Sequence, residues 1–232
     1  QIENIINKIK KRELQGINVT IPFKQAVIPY LDKVINDASE TQSVNTIYLN
    51  EKNETIGENT DVYGFDEAFI KRLGENLTEK KVLILGAGGV APSIIFSLAK
   101  KSIKKIFISN RTLKKAENMK SKFPFIEIIL WEDFIKVAEN MDIVINTTSL
   151  GMKNGNNFEK TLENFKSNLI YYDVIYNPTE TPMIKHLSKK GIKTFNGLDM
   201  LILQGQKSFF LWNNINPEFS IELKKQIMSE IK

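Results

Sequence analysis

The chain has 232 residues, room for one large domain or two modest ones, and its 42% hydrophobic and 25% charged composition is ordinary for a globular protein. It has no cysteine and one histidine, which excludes disulfides, thiol nucleophiles, cysteine zinc sites and iron–sulfur clusters, argues against histidine-based hydrolysis and metal sites, and fits a cytoplasmic protein. No 18-residue apolar run marks a membrane span, and the net charge of +5 is scattered among 27 acids, so neither a membrane nor a nucleic acid is an expected partner.

In chain order, residues 1–14 carry Ile2, Ile5, Ile6 and Ile9 near helical spacing and predict an amphipathic helix. Residues 16–21 predict a strand stopped by Pro22, and residues 25–36 a helix. Two strands follow at 43–50 and 55–59 around a polar turn at 51–54. Residues 61–73 predict a helix, with Gly74-Glu75-Asn76 as its stop and a linker. From Lys81 the pattern changes. Apolar runs at 82–85, 106–109, 126–130, 143–145, 169–174 and 194–195 alternate with helical stretches, which predicts a parallel sheet with right-handed crossovers. Residues 197–212 and 217–231 predict two closing helices. His186 is expected on a helix surface, and Lys100, Lys101, Lys104 and Lys105 on solvated faces or ends. The aromatic run Phe209-Phe210-Leu211-Trp212 is expected to pack into the core.

The first chemical signal is Val82-Leu83-Ile84-Leu85-Gly86-Ala87-Gly88-Gly89-Val90-Ala91, an apolar strand running into G-x-G-x-x-A and a helix. Gly86 allows the turn off the strand, Gly88 lets backbone N–H groups approach a pyrophosphate, and Ala91 keeps the helix close to the sheet. The helix aims its positive end at the phosphates. About 20 residues on, where an NAD-binding fold places an acid on the ribose hydroxyls, the second strand ends on Asn110-Arg111-Thr112. A cation there suits a 2′-phosphate, so the expected cofactor is NADP.

Two polar clusters precede that unit. Asn18-Val19-Thr20-Ile21-Pro22-Phe23-Lys24 brings a lysine just past a strand, and Ser43-Val44-Asn45-Thr46 with Gly57-Glu58-Asn59-Thr60-Asp61-Val62-Tyr63-Gly64 brings amides, hydroxyls and a carboxylate to strand–helix junctions. Thr60 or Asp61 can serve as a simple helix cap. Capping leaves the Lys24 cluster unexplained, whereas a polyhydroxylated substrate would use both clusters. Amides and hydroxyls pair with adjacent alcohols, and a lysine beside a carboxylate can move a proton.

These segments stand in one order with Asn146-Thr147-Thr148-Ser149-Leu150-Gly151-Met152, Tyr172-Asp173-Val174-Ile175-Tyr176-Asn177-Pro178, Thr181-Pro182, and Gly197-Leu198-Asp199-Met200-Leu201 with Gln204. Together, from about residue 14 to 212, they closely resemble the shikimate dehydrogenase family. The resemblance implies a two-domain α/β fold with a cleft between a Rossmann-type doubly wound NADP-binding domain and a smaller α/β substrate domain. Its divisions fall at 1–75 for substrate, 76–199 for NADP, and 200–232 for C-terminal helices returning to the substrate domain. It implies Lys24 and Asp61 as the catalytic pair, with Thr20, Asn45, Tyr176 and Gln204 on the substrate. Gly86, Ala87, Gly88, Gly89 and Val90 match the pyrophosphate loop, and Asn110, Arg111, Thr112 and Lys115 the 2′-phosphate site. Thr148, Ser149, Val174 and Gly197 complete the cofactor side. Lys115 stands where the family often has an arginine, and it keeps the charge without the planar fork. The implied reaction is reversible reduction of 3-dehydroshikimate to shikimate by NADPH, in the route to chorismate and aromatic amino acids.

Family members normally begin with a strand and an S-x-S motif that binds the substrate carboxylate, whereas this chain starts at a helix. The expectation is a piece of a longer protein, with one sheet edge bare and half of the carboxylate site absent. The nearest rival is a quinate/shikimate dehydrogenase of broader substrate and cofactor use, opposed by Arg111. A non-catalytic NADP-binding module would have no need for Lys24 with Asp61, and the related domain of glutamyl-tRNA reductase would want a catalytic cysteine. A homodimer through helices flanking the substrate domain is left open.

Overall fold

The computed structural model describes residues 1–74 and 76–230. Glu75, on which the expected linker falls, Ile231, at the end of the expected last helix, and Lys232 lie outside the described residues. The first part of the chain holds α1 (Ile2–Lys10), β1 (Gly16–Asn18), α2 (Phe23–Ala26), β2 (Lys33–Val34), α3 (Asp37–Thr41), β3 (Thr46–Leu49) and β4 (Thr55–Glu58). One helical stretch follows, in which α4 (Thr60–Phe65) passes through a π-helical turn at Asp66–Ile70 into α5 (Lys71–Leu73). The alternating part holds β5 (Lys81–Leu85), α6 (Ala91–Ala99), β6 (Lys105–Ser109), α7 (Leu113–Lys122), β7 (Glu127–Ile129) and α8 (Phe134–Ala138). It continues through β8 (Ile143–Asn146), β9 (Ile170–Asp173), α9 (Pro182–Lys189) and β10 (Lys193–Phe195), and closes with α10 (Leu198–Asn213) and α11 (Ile221–Glu230).

Two sheets result. The larger has the order β10-β9-β8-β5-β6-β7 with every pair parallel. Its order reverses between β5 and β8, and open α/β sheets of this kind bind ligands at the strand ends beside that reversal. Burial on both faces explains the unbroken apolar strands. Val82 and Ile84 enter one core with Ile94 and Ile95 of α6, while Leu83 and Leu85 enter another with Val144, Leu169 and Leu187. The smaller sheet has the order β1-β3-β4-β2 and is mixed, with β2 parallel to β4 and the other pairs antiparallel. Ile6 and Ile9 of α1 cover its third core with Val44 and Ile47.

Residues 25–36 do not form the expected helix. Val27, Ile28, Leu31 and Val34 pack on one core and so mimic helical spacing. Pro29, however, sits in a short 3₁₀ turn at Ile28–Tyr30, Leu31 is extended with φ −96° and ψ 147°, and Lys33–Val34 then pairs with Ile56–Gly57. Proline removes a helical donor and biases its neighbour away from the helix. The strand expected over 16–21 ends at Asn18, and Thr20 turns the chain into α2 through a bond from Phe23 N to Thr20 O of 2.8 Å. The helix α3 was not expected.

The lysines at 100, 101, 104 and 105 pair with Asp37, Asp66, Glu79 and Glu127 at 2.7–3.9 Å. Exposed pairs of this kind are screened by solvent and contribute little, in keeping with solvated ends. His186 is half-buried, its Nε2 3.0 Å from Leu162 O. Trp212 fastens α10 to the small sheet, since its Nε1 donates to Thr46 Oγ1 at 3.1 Å and its ring fills the place a side chain at Gly16 would take. Phe209 stays 41% exposed, outside the core expected for it.

Candidate active site

Lys24 lies on α2, directly after the turn that β1 feeds, and Asp61 lies in the first turn of α4, directly after β4. The strand ends therefore bring together residues 37 positions apart. Lys24 Nζ is 2.5 Å from Asp61 Oδ2, with side chains 12% and 9% exposed. Two charges this far from water need full partnering, because removing one partner of a buried pair costs about 3–5 kcal/mol. Asp61 has it: Asn45 Nδ2 donates to its other oxygen, Oδ1, at 2.9 Å. The same amide lies 3.0 Å from Thr60 Oγ1 and 3.3 Å from Gln204 Oε1, and Asn45 Oδ1 accepts from Thr60 N at 2.7 Å. Gly64 lets α10 approach, since a Cβ there would stand 2.8 Å from Met200 O and 3.0 Å from Gln204 Cβ.

Thr20, Lys24, Asn45, Asp61, Tyr176 and Gln204 all line one cavity of about 400 Å³, whose far wall is Val90, Val174, Gly197 and Met200. The structure thus gathers the expected substrate residues, while Val90, Val174 and Gly197 from the expected cofactor set form the facing wall. Polar and apolar groups share its lining. Such a cavity suits a small polyol beside a flat ring.

The cofactor side is built differently. Gly86 leaves β5 with φ +107°, and a Cβ there would meet Thr147 Oγ1 at 2.6 Å. Thr147 Oγ1 donates to Leu85 O at 2.9 Å, which pins the turn to the end of β8. Ala87 N donates to Asn110 Oδ1 at 3.0 Å, and Asn110 Nδ2 to Thr112 O at 2.9 Å, so Asn110 braces the turn against β6. Gly88 is different again. A Cβ there would meet nothing within 4 Å, so packing does not require glycine. Open space over exposed amides at a helix start is what a pyrophosphate needs. Arg111 and Lys115 are exposed and have no ion-pair partner among the described residues. These features fit a phosphorylated dinucleotide.

Ala87, Gly88, Gly89 and Lys115 share a groove of about 530 Å³ with Lys24 and Lys122. Lys122, which sequence reasoning missed, donates to Thr41 O across the groove, and burial pushes its ammonium down from the ordinary lysine range. Thr148 Oγ1 donates to Asn146 Oδ1 at 2.7 Å and accepts from Leu150 N at 3.0 Å, while Ser149 is exposed. Arg111 lies apart from this groove, lining a cavity with Trp131, Leu150 and Phe158.

Beneath the loops that follow β8 and β9 lies a second missed feature. Asp173, fully buried at the end of β9, accepts from Asn146 Nδ2 at 3.0 Å, Ile175 N at 3.1 Å and Thr181 Oγ1 at 2.9 Å. Burial outweighs these donors and pushes its carboxyl up to about 6. Only the cluster of polar residues at strand ends hinted at this.

A six-stranded parallel sheet with a glycine turn at its reversal point, facing a buried lysine–aspartate pair, defines a two-domain α/β dehydrogenase of the dinucleotide-binding class. Residues 68–178 match the family described as shikimate / quinate 5-dehydrogenase, and residues 1–47 match the shikimate dehydrogenase substrate binding domain. A shikimate dehydrogenase (NADP⁺) of Pelagibacter ubique is 45% identical over 222 residues, covering 96% of this chain and 82% of that protein. The solved shikimate 5-dehydrogenase of Thermus thermophilus, in complex with NADP(H) and shikimate, superposes with a TM-score of 0.84 at 27% identity over 99% of this chain and 84% of that one. The quinate dehydrogenase of Corynebacterium glutamicum, in complex with NAD, superposes with a TM-score of 0.89 at 25% identity over 99% and 83%. The chain belongs to the shikimate dehydrogenase family.

Proposed function

We propose that this chain works as its NADP-dependent relatives are named to work, reducing 3-dehydroshikimate to shikimate and running the reverse reaction with NADP⁺. The observation that carries the reading at the level of residues is the Lys24–Asp61 pair, 2.5 Å apart in a cavity walled by Val90, Val174 and Gly197. NADPH, when bound, supplies the hydride to the ketone carbon. Lys24 then gives a proton to the ketone oxygen and its charge stabilises the alkoxide as it forms. Asp61 keeps that ammonium aimed, and Asn45 holds Asp61. Thr20, Tyr176 and Gln204 orient the ring and its hydroxyls. Gly86 to Val90 take the pyrophosphate, with Thr148, Ser149, Val174 and Gly197 toward the nicotinamide. Asn110, Arg111, Thr112 and Lys115 take the 2′-phosphate. In this reading residues 1–75 and 200–232 serve the substrate and 76–199 the cofactor, and the cysteine-free sequence supports a cytoplasmic setting.

The test is to mix the purified chain with shikimate and NADP⁺ and follow nicotinamide reduction, crossing in quinate and NAD⁺. Reduction with shikimate and NADP⁺ well above the other three pairings is the expected result. Equal or faster turnover with quinate and NAD⁺ would favour the broader quinate-type reading. No turnover with any pair, in protein that binds NADPH, would contradict the proposal for this chain.

A further inference from the structure

The helix that carries Asp61 is bonded to the helix that begins at the glycine turn. Asn59 caps α4: its Oδ1 accepts from Asp61 N at 3.0 Å and from Val62 N at 3.4 Å. With Oδ1 committed to those donors, Nδ2 must face acceptors, and it faces three. Thr41 Oγ1 lies at 3.0 Å, Ser43 O at 2.7 Å and Ser93 Oγ at 2.9 Å. Ser93 Oγ also stands 3.2 Å from Asn59 Oδ1. Thr41 and Ser43 belong to the substrate-side segment, whereas Ser93 is in the first turn of α6. Ser93 is 0% exposed and Asn59 5%.

A helix face buried against another helix is ordinarily apolar, and a buried hydroxyl is unfavourable unless it is bonded. The α6 face toward this helical stretch instead presents Ser93 and Ser97, four residues apart and so neighbours on one helical face, with Lys101 in the turn just past the helix. Ser97 donates to Asp66 Oδ1, and Lys101 Nζ lies 3.9 Å from Asp66 Oδ2. The seam therefore has two parts. The Ser97 part joins the two helices and nothing more. The Ser93 part reaches the amide whose orientation sets the backbone of Asp61.

We propose that Ser93 is a positioning residue for the reaction: it locks the Asn59 carboxamide, and through that cap it fixes where Asp61 holds Lys24 relative to the cofactor cleft. The proposal rests on the reading of Lys24 and Asp61 as the catalytic pair. Movement of α6 is then passed to the geometry of the pair through this buried contact.

Four proteins test it: the parent chain, Ser93→Ala, Ser97→Ala and Lys24→Ala, each with active molecules counted by NADPH fluorescence titration. Ser93→Ala is expected to lower kcat roughly tenfold, the scale of a small misplacement, while KM for shikimate and NADP⁺ stays within about twofold. The alkaline limb of its kcat–pH profile is expected to move. Ser97→Ala, which removes a part-buried bond of an equally buried hydroxyl one turn away, is expected to lower Tm and leave kcat per active molecule and its pH profile unchanged. Parent-like kcat and pH profile in Ser93→Ala overturns the proposal, as does an equal loss in Ser93→Ala and Ser97→Ala. Lys24→Ala separates the two levels. If it keeps parent turnover, the catalytic reading falls and this proposal with it; if it loses turnover while Ser93→Ala is normal, only the Ser93 role falls. Should Ser93→Ala not fold, Ser93→Cys, which keeps the shape and weakens the bond, is judged by the same criteria.

Discussion

The two sides of the cleft hold their shape by different means. The Lys24 side is built from side chains that bind one another. Both oxygens of Asp61 are taken, Asn45 bonds to three neighbours, and the pair is nearly dry. The glycine-turn side is built from backbone and open space, with Arg111 and Lys115 left exposed. A dense side-chain network there, Asp173 with its donors, lies below the loops. A group that must move a proton needs a fixed partner and little water, so preorganisation serves it. A phosphorylated cofactor that enters and leaves at each turnover is better met by amides and cations that have no competing partner.

The largest stability effect that separates the two sides belongs to Asp173. Burial raises its carboxyl to about 6 in the folded chain, against about 3.9 in an unfolded one. Between those values the folded state binds more protons than the unfolded one, so stability falls as pH rises through that window, by about 3 kcal/mol in all. Asp173→Asn is expected to flatten that slope, as read from urea midpoints between about pH 4 and 7. A slope unchanged by the substitution would mean that other groups govern it.

Arg111→Ala is next. Loss of a charge-assisted contact costs about 2 kcal/mol, or roughly thirtyfold in affinity. The loss is expected for NADP⁺ with NAD⁺ affinity unchanged, by fluorescence titration of each nucleotide. Equal losses for both would remove Arg111 from the 2′-phosphate site. The smallest structural effect is expected from Gly88→Ala, which should weaken NADP⁺ binding while Tm stays within about 2 °C, less than a 1 kcal/mol change gives in a chain this size. Gly86→Ala should behave oppositely, with a clear drop in Tm, because it meets both φ +107° and Thr147. If the two glycine variants lose stability alike, the open space at Gly88 is not the reason for glycine there.

Much of this was legible in the sequence because strands and their ends follow local rules. The six apolar runs became the six parallel strands, and the Lys24 and Asp61 segments met because each directly follows a strand of one small sheet. What was not legible depends on packing between distant segments. Asn59 meets Ser93 across 34 positions, Thr147 meets Leu85 across 62 and Lys122 meets Thr41 across 81. No periodicity encodes such pairs. At residues 25–36 the apolar spacing mimics a helix because a 3₁₀ turn and a short strand face the same core, and Pro29 is the residue in the sequence that argues against one.

The most direct test of the account is kcat for shikimate oxidation in Lys24→Ala, measured beside NADPH binding. Turnover is expected to fall about 100-fold or more, the contribution typical of a positioned acid–base group, with NADPH affinity unchanged. A fall of less than about tenfold, well under that range, would contradict the role given to Lys24.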